Sequence, residues 1–205
     1  MRAAFQDRLL KHVGILCLVL CVCLAASSPA TDWPQYRGPS HDGVSTDRIM
    51  KQWSGSVTTA VWRVTLGQAY SSFAAGQGKA ITQVYRNSKE VCVALSITNG
   101  AELWARELEL GTDYGGYNGP RSTPTLDGNS VYVLTSHLKL FRLNATNGSV
   151  VWSNDLLVAY STSVIGWAGA ASPLVENGLI YVNLNTGDQA LAAFRTSDGS
   201  LAWRV

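Results

Sequence analysis

Few side chains in this 205-residue chain stand at spacings that do chemistry. His41 and His137 are too far apart in sequence to suggest a metal pair, and no Cys or second His stands at ligand spacing beside either, so no metal site is expected. Neither a Gly-Lys-Ser/Thr phosphate loop nor a Gly-x-Ser-x-Gly nucleophile elbow occurs. Asn144-Ala145-Thr146 fits a glycosylation acceptor pattern, which in a bacterial-looking chain is an accident of composition. What remains are Asp113, Tyr114 and Asn118 among glycines, Arg121 just before an apolar strand, and Trp167 in Gly166-Trp167-Ala168-Gly169. Turn formation accounts for the first group and packing for the tryptophan, while an arginine there can bind backbone carbonyls or a carboxylate.

The elements that would position these residues repeat. Thr98-Asn99-Gly100-Ala101-Glu102-Leu103-Trp104 returns as Thr146-Asn147-Gly148-Ser149-Val150-Val151-Trp152 and as Ser197-Asp198-Gly199-Ser200-Leu201-Ala202-Trp203. The Asn-Gly and Asp-Gly pairs predict two-residue type I′ hairpins, whose central residues both need positive φ. The tryptophans are 48 and 51 residues apart, and Pro124 to Pro173 and Tyr132 to Tyr181 keep step at 49. Two phrases sharing one period mark a repeat protein. Strands are expected near 71–75, 79–85, 90–97 and 101–108, again over 122–156, and again from 171. Four short strands per unit, with hardly any helical periodicity, point to an all-β fold of blades around an axis. Residues 59–66, carrying Trp62, alternate like an outermost strand whose sheet lies elsewhere. Gly111 to Arg121 and Tyr160 to Ala170 are the long links.

Ahead of the repeats, Arg2, Arg8 and Lys11 precede the uncharged run Val13 to Ala26 and the small-x-small site Ser28-Pro29-Ala30. This predicts a signal peptide over 1–30 and an exported chain, periplasmic or extracellular, with no transmembrane span after cleavage. Cys21 and Cys23 lack the small residue a lipobox wants before them. Cleavage leaves Cys92 alone, on an apolar strand, so no disulfide forms within the mature chain. It also leaves basic and acidic residues equal in number, which gives no electrostatic case for nucleic acid. Residues 31–58, rich in Pro, Gly and aromatics, are expected to be an irregular arm on the domain, with Trp33 and Tyr36 turned out of water. Residues 59–205 hold the blades.

The phrase Asp32-Trp33-Pro34-Gln35-Tyr36-Arg37-Gly38-Pro39, the run Gly119-Pro120-Arg121-Ser122-Thr123-Pro124-Thr125 and the Gly-x-x-x-Trp copies resemble secreted bacterial proteins of the PQQ-like β-propeller repeat family. That family includes the quinoprotein dehydrogenases and the outer-membrane assembly lipoprotein of the BAM complex. The resemblance implies a partial propeller of four-stranded antiparallel blades, about three and a half of an expected eight. The chain accordingly reads as the N-terminal part of a longer protein or a truncated product. It further implies that Trp104, Trp152 and Trp203, and by position Trp62, dock between blades with Gly100, Gly148 and Gly199. The family's Asp position holds Ser96, Asn144 and Arg195 here, so that part of the motif does not transfer. The expected function is a binding or scaffolding module in the cell envelope, for a protein or glycan. The alternative is a PQQ-dependent alcohol or sugar dehydrogenase with Ca²⁺, to which Trp167 would offer a stacking floor, Asn118 or Asp113 a ligand and Arg121 a carboxylate clamp. The catalytic residues of such an enzyme would lie in other blades.

Overall fold

A computed structural model describes residues 31–48, 60–111, 118–164, 166, 168–184 and 190–205. The signal peptide expected over 1–30 lies outside them, as do Asp113, Tyr114 and Trp167. Among the described residues no helix is long and apolar enough to cross a membrane.

Residues 31–205 hold three four-stranded antiparallel sheets, each a simple meander. The first is β1 (Ala74–Gly76), β2 (Lys79–Arg86), β3 (Lys89–Ser96) and β4 (Glu102–Leu110). The second is β5 (Thr125–Asp127), β6 (Ser130–Leu134), β7 (Lys139–Asn144) and β8 (Val150–Asp155). The third is β9 (Leu174–Glu176), β10 (Leu179–Asn183), β11 (Leu191–Arg195) and β12 (Leu201–Arg204). One helical turn, α1 (Leu156–Tyr160), follows β8, with Asp155 as its N-cap accepting from the Val158 N–H. It falls where only a link was expected, because a single turn is too short to show in hydrophobic periodicity.

Period-two alternation decides which side chain enters which seam between sheets. On β6, Val131 and Val133 join Ile81, Cys92, Ala94 and Trp104 of the first sheet. Their neighbours Tyr132 and Leu134 face the other way, into a cluster with Ile180, Val182, Ala192 and Phe194 of the third. The second sheet is thus buried on both faces, as a blade between two others must be.

The first strands of the sheets run side by side and are stitched by one repeated bond. The Ser72 N–H donates to Thr123 Oγ1 at 3.3 Å, and the Thr123 N–H donates to Ser172 Oγ at 2.9 Å. Across them lies the arm. Trp33 exchanges backbone hydrogen bonds with Ala75 at 2.7 and 2.8 Å, and the Leu126 N–H donates to Pro34 O at 2.8 Å. Gln35 and His41 then face Ser172, Pro173 and Leu174 across a small cavity of about 110 Å³. Trp33 is half-buried, but Tyr36 is 57% exposed, contrary to the expectation that both leave water. The arm runs along the sheets as a narrow ribbon, and only one of its faces has protein to meet.

Residues 60–66 pair with no strand among the described residues, and just after them a lone bridge joins Gln68 to Tyr85. A further expectation is corrected, because the three Gly corners before the tryptophans are not type I′ turns. Only the glycine has positive φ, at 72°, 69° and 74° for Gly100, Gly148 and Gly199. Each glycine N–H reaches back four residues to Ser96, Asn144 or Arg195 at 2.8–2.9 Å. The Asn or Asp before the glycine acts through its side chain, with Asn99, Asn147 and Asp198 Oδ1 accepting the N–H two residues on at 2.9–3.0 Å. Type I′ geometry occurs at Gln77-Gly78, Asn87-Ser88 and Asn177-Gly178, where both residues have positive φ.

Candidate functional site

Each seam is closed by the same pair of contacts. The indole of Trp62 lies so near Gly100 that a Cβ there would stand 2.7 Å from it, and Trp104 on Gly148 and Trp152 on Gly199 repeat this at 2.6 and 2.8 Å. The indole N–H donates to the carbonyl three residues before that glycine, Ile97, Ala145 or Thr196, at 2.9, 3.0 and 3.1 Å. The glycine therefore serves twice. It takes the positive φ of the corner, and its missing side chain makes room for the neighbour's tryptophan. Trp203 stands at the equivalent place in the third sheet, 39% exposed, with its ring 5.9 Å from that of Tyr181.

The seam between the first and second sheets differs from the next one in being polar toward its outer end. Gln83, fully buried, donates from Nε2 to Ser122 O at 2.8 Å and Leu134 O at 3.3 Å. Farther out, Glu90 on β3 is 1% exposed and its Oε2 accepts the Ser136 N–H at 3.1 Å. Burial pushes the Glu90 carboxyl above the usual carboxylate range, and the hydrogen bonding from Ser136 offsets this only in part. Beside it, Glu109 Oε1 meets His137 Nδ1 at 3.0 Å, while Lys139 Nζ lies 3.7 Å from Glu109 Oε2 and 3.6 Å from Asp155 Oδ2. Glu109, His137, Lys139 and Asp155 line a cleft of about 390 Å³ with Leu110 and Leu157.

Sequence reasoning missed this cluster. Its members lie on β3, at the end of β4 and in the β6–β7 corner, and only sheet stacking brings them together. The one legible sign is Glu90, a carboxylate beside the apolar run Val91 to Leu95.

The residues offered to a quinone are placed differently. Trp167 is outside the described residues. Asn118 begins the loop 118–121, where the Tyr70 N–H donates to Pro120 O at 2.9 Å. Arg121 sits with its guanidinium 5.1 Å from the Tyr70 ring centre and donates from Nη1 to Gly119 O at 3.3 Å. That brace ties the loop onto residues 67–70. Cys92 is fully buried in the first seam, and its surroundings push the thiol well above its usual range.

Comparison with known proteins agrees with this architecture. Residues 87–205 match the family described as outer membrane protein assembly factor BamB. Among curated relatives, the BamB of Moranella endobia (strain PCIT) is 32% identical over 115 residues, which are 55% of this chain and 27% of that protein. The BamB of Yersinia pestis is 27% identical over 159 residues, covering 76% and 36%. The chain thus spans well under half the length of the curated relatives it matches. Among solved structures, BamB from Moraxella catarrhalis superposes with a TM-score of 0.50 at 18% identity, covering 71% of this chain and 39% of that one. The quinohemoprotein alcohol dehydrogenase from Comamonas testosteroni gives 0.56 at 18% identity, covering 88% and 28%. At such identities the likeness is one of fold.

Proposed function

Since the chain belongs to the family of the outer membrane protein assembly factor BamB, we propose that it is an exported propeller module that binds or scaffolds a protein partner in the cell envelope. The observation that carries this reading is the position of the arm. Trp33 and Pro34 bond to Ala75 and Leu126 on the first strands of the first two sheets, and Gln35 borders a small cavity beside Pro173 and Leu174 of the third, the side on which a propeller's axial ligand would enter. The surfaces offered to a partner are then the outer strands. β4, β8 and β12 each pair on one side only within their sheets, and an edge of this kind recognises extended polypeptide by adding a strand. The relatives' shared name, an assembly factor for outer membrane proteins, agrees with a polypeptide partner rather than a small substrate.

Affinity capture from envelope extracts, with the full chain as bait, is the test. Reproducible recovery of an envelope protein that crosslinks to residues on β4 or β8 is expected. Failure to retain any specific protein, or dye reduction with alcohols or sugars once PQQ and Ca²⁺ are supplied, would overturn the reading.

A further inference from the structure

The polar cluster in the first seam is not something the fold requires. The same blade architecture is built again 48 residues later, and there the counterparts of Glu90 and Glu109 are Leu138 and Leu157, both packed in the apolar cluster of the second seam. Two leucines suffice to close a seam at these positions. In the first seam the chain instead places two carboxylates side by side, one fully buried, and turns an imidazole onto them from the neighbouring sheet. Burying a carboxylate costs several kcal/mol unless something compensates it, roughly the value of a few good hydrogen bonds.

The compensation in place is incomplete. Lys139 is shared between Glu109 and Asp155 at 3.7 and 3.6 Å, so a single ammonium is divided between two carboxylates. Glu90 holds one main-chain N–H, from Ser136. The Ser136 hydroxyl, 1% exposed, lies beside the same carboxylate and adds to the hydrogen bonding that offsets its burial only in part. A carboxylate buried this deeply is balanced best by a positive ligand.

One ligand atom from each of Glu90, Glu109 and His137 falls within 4.8 Å of the others. An ion about 2.0–2.2 Å from each donor fits a triangle of that size after small side-chain rotations. We propose that Glu90, Glu109 and His137 bind a divalent transition-metal ion, zinc by the character of the donors, and so clamp the first blade to the second. Carboxylates are hard donors that take many divalent ions, and the imidazole among them tips the set toward zinc over calcium or magnesium. Binding breaks the hydrogen bond between Glu109 Oε1 and His137 Nδ1 at 3.0 Å, and a neutral imidazole moves its proton from Nδ1 to Nε2 as the ion takes its place. The fourth position opens on the cleft of about 390 Å³, which provides both a water ligand and an entry path. The ion would lie on the outer part of the seam, among residues of β3, β4 and the β6–β7 corner, whereas the first strands β1 and β5 and the arm occupy the inner part. This inference stands apart from the identity of the envelope partner.

The test uses the full chain with Cys17, Cys21 and Cys23 changed to serine, so that their thiolates do not compete, stripped with EDTA and titrated with ZnCl₂. One equivalent is expected to bind, read by titration calorimetry, and to raise the melting temperature. Glu90→Gln and His137→Asn should each weaken binding about tenfold or more, and His41→Asn should leave it unchanged. Should a variant fail to fold, one equivalent of Co²⁺ added to the parent protein reports the ligands directly, with visible bands free of thiolate charge transfer expected. No binding by the parent, unchanged affinity in folded Glu90→Gln, or loss of binding in His41→Asn instead would overturn the assignment.

Discussion

The indole of Trp104 rests on the bare Cα of Gly148 in the next sheet, so closely that a methyl group there would stand 2.6 Å from ring carbon Cε3. That contact, made again by Trp152 on Gly199, fixes the separation of successive sheets, and Trp62 repeats it on Gly100 of the first sheet.

It follows that Gly148→Ala carries two penalties. The residue has φ +69°, which costs an L side chain about 1–2 kcal/mol, and the methyl drives the tryptophan out of its seat for about 1–3 more. Gly78→Ala is the matched control, because Gly78 has φ +74° and nothing within reach of a Cβ. Urea melts should place the two variants apart by the second penalty alone. Equal losses would mean that the corner, not the docking, sets the requirement for glycine.

Trp104→Phe keeps a ring in the seat and removes the N–H that Ala145 O accepts at 3.0 Å. A buried carbonyl left unpaired costs about 1–3 kcal/mol. The same change at Trp62, which is only partly buried, should cost clearly less, since water can reach Ile97 O. Chemical denaturation of the two variants side by side checks the ranking.

Asp198 is exposed, and the hydrogen bonds from the Ser200 hydroxyl and N–H hold its carboxyl below the usual range. The folded form therefore binds its proton less readily than the unfolded chain. The turn's contribution is present above the ordinary carboxylate range and is lost as pH falls through the lowered value. Asp198→Asn keeps the Oδ1 acceptor, as Asn99 and Asn147 do in the other two corners, and should abolish this acid sensitivity. Amide exchange of Ser200 between neutral and acid pH would read it.

Cys92 should not react with a disulfide reagent at mildly alkaline pH in the native state, since burial raises the thiol well above that range. With Cys17, Cys21 and Cys23 changed to serine, one thiol should titrate, and only after denaturant is added. Stoichiometric reaction of the folded protein would show that the first seam opens.

The blade period was legible because it rests on local signals. A Gly that must take positive φ and a Trp four residues later survive as a pattern even where Ser96, Asn144 and Arg195 break the rest of the repeat. The turn type was not legible, because Asn99 serves equally as a residue with positive φ or as a side-chain acceptor, and the choice depends on loop length. The Glu90, Glu109 and His137 cluster was less legible still. Its register depends on bulges in the β3–β4 pairing, at Glu90/Val91 and Ala94/Leu95, which no alternation rule reveals. Asn118 and Arg121 were marked by composition, and the loop uses Arg121 to hold itself against Tyr70.

The arm's seat has a bearing on how the molecule comes into being. Residues 33–35 are made first, yet the surfaces they settle on include Leu126 and Pro173, which leave the ribosome some 90 and 140 positions later. Until then only Trp33 has a partner to meet, at Ala75 of the first sheet, and the rest of the ribbon waits for the later sheets. Its arrival is a final latch rather than a nucleus, and weakening it should hasten unfolding while hardly altering the rate at which the blades form.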